Sequence, residues 1–371
     1  MRSSLIFIAF ASLIINLFLG FKTQLISDTS NFYRVGKSVV NFENPYKNLK
    51  DAYPYPPLSM FISALNYKIS QVTGLAFPFI NRLIPILSFI LLGIVIFSKD
   101  SRVSNSKQKI ILYFFNPLII LVTTVIGQND ILVIFLIVLT ILLLSKKPVV
   151  SGLLFAFASL VKIYPLFLLP MLLKAFKNKK NNLFRFLSVF ISINLLFWLP
   201  FLFASFKDTL LSVFAYKGFA DFGWGGIIRT FLMIFGKDFI SAHLFSLKLS
   251  KVGIFLFVAF FFFILRRLIR QKDLFKLCSI IFISFLILYP NISVQYLVWV
   301  LPFYFLYKPV KVLFKYTIFA SLAVVYFFLF SNPSLFGIEK VSTNLLILLV
   351  LQTITYLYTV KLLYEEIIHA R

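Results

Sequence analysis

Long apolar runs alternate along this chain with short clusters of Lys, Asn and Pro. A helix rises about 1.5 Å per residue and needs roughly 20 residues to cross a hydrocarbon core. Residues 4–21, 78–98, 110–126, 130–145, 183–205, 252–268, 274–290, 312–330 and 343–363 fit that length and predict membrane helices. Residues 149–161 and 163–176 predict two shorter pieces that meet at Lys162, and a third short piece runs from 295 to 307. The total is about twelve. In lipid, backbone groups must be satisfied within the element, so the expected fold class is all-α and integral to the membrane. Arg2 precedes an apolar run from Leu5 to Leu19 with no small-x-small cleavage site after it, which predicts an uncleaved first membrane helix.

Composition sharpens this picture. The chain is 60% hydrophobic with 49 Phe, and its mean hydropathy is +0.96. No soluble domain hides that much apolar surface. The formal charge of +25, from 37 Lys+Arg against 12 Asp+Glu, would point to nucleic acid in a soluble protein. Here the basic residues sit between apolar runs, so topology accounts for them; membrane lipids are the expected partners and no nucleic acid is. Cys278 is the single cysteine, which excludes an intramolecular disulfide.

The basic clusters set the orientation. They are Lys99 to Lys109, Lys146-Lys147, Lys174 to Arg185, Arg266 to Lys276, and Lys308 to Lys315. Placing all five on the cytoplasmic side obeys the positive-inside rule and puts both termini there. Residues 22–77 then stay on the outer face as a first loop. Segment 58–74, with Ser59, Ser63, Asn66, Lys68, Ser70 and Gln71, suits an interfacial helix better than a span. Residues 149–176 form a hairpin whose bend, Lys162-Ile163-Tyr164-Pro165, reaches the outer surface, with Pro165 and Pro170 as breaks. Residues 206–251 form a second outer loop. One polytopic membrane domain over 1–371 is expected, in the cell membrane, with its active site facing outward.

The candidate chemistry gathers on that outer side. Asp28, in Ser27-Asp28-Thr29-Ser30, is a candidate general base and equally a helix-capping composition. Gly127-Gln128-Asn129-Asp130 reads as a capped turn or as a cluster for sugar hydroxyls. Lys162 is an ionisable group in apolar sequence, either snorkelling to the interface or holding a lipid phosphate. Arg34, Arg82 and Arg229 have the guanidinium geometry for the same phosphate. Tyr53-Pro54-Tyr55-Pro56-Pro57 is a stiff aromatic stretch, and Trp224 lies among glycines. There is no Walker A motif, no Gly-x-Gly-x-x-Gly before a strand, no His-Glu-x-x-His, no Cys cluster and no Asp-x-Asp. No cofactor and no metal site are expected.

Five stretches, in this order and spacing, resemble the membrane glycosyltransferases of the GT-C superfamily. Within it, the similarity is greatest to mannosyltransferases of lipid glycan synthesis that use polyprenol-phosphate-mannose. They are Asp28 after the first helix; Asn44-Pro45-Tyr46 leading to Tyr53-Pro54-Tyr55-Pro56-Pro57-Leu58; Gly127-Gln128-Asn129-Asp130; Gly152 before Lys162-Ile163-Tyr164-Pro165-Leu166; and, more weakly, Ser293-Val294-Gln295-Tyr296 with Trp299 and Pro302. The resemblance implies a multi-helix bundle with outer interfacial helices around a lipid-donor groove. It implies that Asp28 deprotonates an acceptor hydroxyl, which displaces polyprenyl phosphate with inversion. Lys162, with Arg34, Arg82 or Arg229, would hold the donor phosphate. Tyr55, Gln128, Asn129, Asp130, Tyr164, Gln295 and Tyr296 would contact substrate. The partners implied are a polyprenyl-phosphate-linked sugar and a lipid or glycan acceptor. The rival class is a lipid or solute carrier, which broken helices and an intramembrane lysine also describe.

Overall fold

The computed structural model describes residues 2–23, 27–49, 53–99, 106–177, 179–215, 221–267, 273–332 and 344–368. Among them the chain is helical throughout, with no strand and one isolated bridge between Phe222 and Ile292. In chain order the helices are α1 (Arg2–Lys22), α2 (Ser27–Val40), α3 (Pro45–Asn48), α4 (Pro57–Thr73), α5 (Phe77–Lys99), α6 (Lys107–Phe114) and α7 (Pro117–Ile120). A π-helical turn (Leu121–Ile126) follows, then α8 (Asp130–Leu143) and α9 (Pro148–Val161), a 3₁₀ turn (Tyr164–Leu168), α10 (Leu169–Lys174) and α11 (Lys180–Phe214). The remainder is α12 (Gly223–Ile234), α13 (Phe239–Lys248), α14 (Ser250–Arg267), α15 (Leu274–Leu288), a 3₁₀ turn (Val294–Val298), α16 (Leu301–Tyr307), α17 (Val310–Ser331) and α18 (Leu345–Ile368).

Among the described residues, seven stretches are long and apolar enough to cross a bilayer: 3–22, 77–98, 107–126, 180–214, 239–266, 310–331 and 345–368. The expected total of about twelve also counts pieces that the structure makes short. α8 and α9 have 14 residues each, which at 1.5 Å per residue reach about 21 Å, short of a ~30 Å core. The stretch 206–251, read from sequence as a loop, is largely helical among the described residues. Asp238 caps α13 by accepting from the Ser241 amide at 2.9 Å, and α13 runs through Leu249 into α14 as one apolar stretch.

The chain divides into two compact units. One comprises Ile6–Val95 and Thr123–Tyr216 and contains the Gly127 loop and Lys162. Within it α9 packs against both α8 and α11, and α2 packs against α4. Gly152 makes the α9–α11 contact possible, since a Cβ there would come within 2.5 Å of the Phe186 carbonyl oxygen. Gly152→Ala should therefore destabilise this unit by about 1–3 kcal/mol, seen as a lower thermal midpoint of the purified protein; an unchanged midpoint would refute the close contact. α4 turns Ser59, Met60, Ser63 and Asn66 inward and exposes Phe61, Leu65, Ile69 and Val72. That outward apolar stripe suits a helix lying along a lipid surface.

The other unit comprises Met1–Leu5, Ile96–Val122 and Lys217–Arg371. Its centre is α15, buried on all sides from Leu277 to Ile287 and touched by α12, α14, α16 and α18. A helix apolar all round is stable when buried in protein, as here, or when facing lipid.

Candidate active site

The Gly127–Asp130 loop is anchored from several directions. Backbone hydrogen bonding changes register in the π-helical turn 121–126, which leaves carbonyls without their usual helical partners. Arg82 of α5 meets two of them: its Nε donates to the Thr124 carbonyl at 2.7 Å and its Nη2 to that of Val125 at 2.8 Å. Its Nη1 donates to the Pro78 carbonyl at 2.6 Å. Asn81 donates to the Gly127 carbonyl at 3.2 Å and accepts from Asn66 of α4 at 3.3 Å. Thr124 donates to the Asn16 side-chain oxygen, which brings α1 into the same network. Gly127 has a φ of +80°, and a Cβ there would sit 3.2 Å from Arg82 Cγ, so this turn favours glycine twice over.

The loop delivers Asp130 at the first position of α8. Asn129 occupies the cap position, but its side chain makes no capping bond, and its Oδ1 is buried with no hydrogen-bond partner among the described residues. The Asn129 side chain therefore does not fill the capping role expected of this pair. Asp130 pairs with Lys162.

Lys162 ends α9 in extended backbone (φ −145°, ψ 145°), immediately before the 3₁₀ turn that contains Pro165. Its ammonium donates to Asp130 Oδ2 at 2.8 Å and lies 4.8 Å from the centre of the Tyr55 ring. Tyr164 Oη sits 3.5 Å from the Asp130 carbonyl, a long contact. Lys162 is 6% exposed and Asp130 fully buried. The ammonium is held inside the protein, on a carboxylate. A buried ion pair is poor evidence for stability, because apolar replacements of similar size often do as well. Its presence in so apolar a chain points instead to function.

Tyr55 is placed by the Asn44–Pro57 segment. Asn44 caps α3 by accepting from the Tyr46 amide at 3.0 Å, and its Nδ2 donates to Ser205 Oγ at 2.8 Å. Ser205 is the non-helical residue at the kink of α11. The Tyr46 hydroxyl donates to the Tyr55 carbonyl and that of Tyr53 to the Pro56 carbonyl, both at 2.9 Å. Burial pushes both phenols far above their ordinary range, so they serve as neutral donors that stiffen the segment.

The structure thus brings Tyr55, Asp130, Lys162 and Tyr164 together, with Gln128 and Asn129 buried in the adjoining loop. Asp28 belongs to the first turn of α2, and its side chain lies outside the described residues. Arg34, on the same helix, is exposed. The Arg82 guanidinium gives three hydrogen bonds to backbone carbonyls and so braces the loop.

Arg229, Gln295 and Tyr296 belong to the other unit. There Arg229 is buried, 3.4 Å from Asp221 and stacked near Phe239 and Phe327 at 5.0 and 5.6 Å. Gln352 clamps this corner, donating to the Asp221 carbonyl at 2.7 Å and accepting from Thr230 at 2.8 Å. Gln295 is buried in the 3₁₀ turn, and the Tyr296 ring lies 4.3 Å from that of Trp299. Trp224 donates to the Leu288 carbonyl at 3.2 Å. Among the described residues no three His, Cys, Asp or Glu side chains come together as a metal site.

Sequence reading missed Asn16, Asn81, Thr124 and Ser205, and took Asn66 only as part of an interfacial helix. The amides carried a usable signal: Asn16 and Asn81 interrupt apolar helices, where an unpartnered amide is costly.

The all-helical chain, with its apolar membrane-length helices, is consistent with a membrane glycosyltransferase of the GT-C type, and a family comparison supports that class. The chain belongs to glycosyltransferase family 87, whose model matches residues 53–290. The match includes Tyr55, Asp130, Lys162 and Arg229; Asp28 precedes it and Gln295 follows it. No curated protein matches the chain. Family membership places the chain among transferases, which displaces the carrier reading.

Proposed function

We propose that this enzyme moves a hexose, mannose by motif resemblance, from a polyprenyl-phosphate sugar to a lipid or glycan acceptor at the outer face of the cell membrane. The observation that carries the reading is the buried Lys162 ammonium, held on Asp130 and against Tyr55. A basic side chain buried in an apolar protein suits a lipid-borne phosphate, which arrives from the bilayer. Asp28 is the general base: it takes the acceptor hydroxyl proton as the oxygen attacks the anomeric carbon. The carbon–oxygen bond to phosphate breaks with its electron pair, and polyprenyl phosphate leaves. One displacement inverts the anomeric centre. Lys162 faces the charge that grows on the leaving phosphate. Arg34 is a further phosphate contact in this reading, and Gln128, Asn129 and Tyr164 bind hydroxyls or ring faces.

The test is incubation of membranes containing the protein with labelled polyprenyl-phosphate-mannose and a membrane-lipid extract. Labelled glycolipid together with free polyprenyl phosphate is the expected outcome. If labelled polyprenyl-phosphate-glucose or -arabinose reacts and the mannose donor does not, the sugar assignment is wrong; if none reacts, the donor class is.

A further inference from the structure

We propose that Asp130 is a positioning residue for glycosyl transfer, acting through the Lys162 ammonium. The inference rests on the lipid-phosphate donor reading above and assigns Asp130 a role other than binding sugar hydroxyls.

The geometry carries it. Lys162 follows the last turn of α9 in extended backbone, so the helix does not fix the direction of its long side chain. What fixes the ammonium is Asp130 Oδ2 at 2.8 Å on one side and the Tyr55 ring at 4.8 Å on another. Asp130 is itself held at the start of α8 by the Gly127 loop, which Asn81 and Arg82 anchor to α5. A rigid scaffold thus ends in one carboxylate, and that carboxylate holds the Lys162 ammonium. An ammonium has three N–H donors. Asp130 takes one, which leaves donors for a phosphate oxygen, so donor lipid adds to the pair rather than breaking it.

The reaction explains why position matters. The acceptor oxygen bonds to the anomeric carbon, its proton passes to Asp28, and the carbon–oxygen bond to phosphate breaks. The phosphate begins as a singly charged diester and ends as a monoester with capacity for a second negative charge. Lys162 stabilises that increase only if it stays in place, and misplacement by about 1 Å can cost on the order of 10²-fold in rate. Asp130 also has an opposing effect: its own negative charge repels an incoming anion. The two effects separate kinetically. Losing the carboxylate should lower kcat while leaving the donor KM unchanged or reduced.

Asp130→Asn, Asp130→Glu, Lys162→Met and the double variant Asp130→Asn/Lys162→Met test this, each purified and checked for monodispersity and thermal midpoint. The probe is labelled polyprenyl-phosphate-mannose with membrane-lipid extract, followed by release of polyprenyl phosphate. Asp130→Asn is expected to lose about 10- to 100-fold in kcat with no rise in donor KM, and Asp130→Glu to recover part of that loss. Lys162→Met should lose kcat and raise donor KM. The double variant should be no slower than Lys162→Met alone, because residues acting as a unit are not additive. Multiplying losses in the double variant, a raised donor KM in Asp130→Asn, or a kcat at or above wild type would each overturn the proposal and leave the donor reading standing. A wild-type protein that releases no polyprenyl phosphate overturns both.

Discussion

Asp28→Asn should reduce transfer by about 10²–10⁴-fold, the usual contribution of a positioned general base. The change keeps the shape of the side chain and removes its ability to accept the acceptor proton. It should also leave the fold nearly intact. Residue 28 lies in the first turn of α2, where Asn and Asp are both well tolerated. Losing the carboxylate's interaction with the helix dipole costs only about 0.3–1 kcal/mol. The expected signature is therefore a large fall in kcat, an unchanged donor KM and a thermal midpoint close to wild type. Labelled donor should still bind, since Lys162 and Asp130 are untouched. Comparable glycolipid formation by wild type and variant at matched expression would remove Asp28 from the chemistry. A collapse of the thermal midpoint would instead make its role one of folding.

The elements legible in the sequence are those whose stability is local. α1, α17 and α18 fall within a few residues of their predicted limits, because an apolar run flanked by charge specifies a membrane helix by itself. Residues 110–126 were expected as one helix and are three pieces. Pro117 forces the first break, and Asn116 caps α7 through the Ile119 amide at 3.1 Å; both were readable. The π-helical turn after it was not, since the carbonyls of Thr124 and Val125 are satisfied by an arginine some forty residues earlier. The site divides in the same way. Asp130 and Lys162 each stood out as an ionisable group among apolar neighbours, but their pairing depends on how α8 meets α9, and no local pattern encodes that. Arg82 was singled out for its charge and read as a phosphate ligand; three of its hydrogen bonds run to backbone carbonyls, a scaffolding role that its charge alone did not suggest.

That difference gives Arg82 the largest expected effect on stability. Its three nitrogens donate to the carbonyls of Pro78, Thr124 and Val125, and the residue is fully buried. Each buried carbonyl left without a partner costs about 1–3 kcal/mol, so Arg82→Met should destabilise the unit by on the order of 3 kcal/mol or more. Arg82→Lys is the sharper experiment. It retains the positive charge but replaces a planar fork by a compact ammonium on a different stem, which cannot span three divergent carbonyls. A phosphate ligand would tolerate this change better than a scaffold would, because lysine also binds phosphate. The expected result is a clear fall in thermal midpoint and folded yield for Arg82→Lys. Whatever folded protein remains should turn over more slowly, because the loop that delivers Asp130 has lost its anchor. Donor KM for that fraction should stay near wild type. A variant that melts like wild type while its donor KM rises severalfold would make Arg82 a phosphate ligand after all, and the carbonyl contacts incidental.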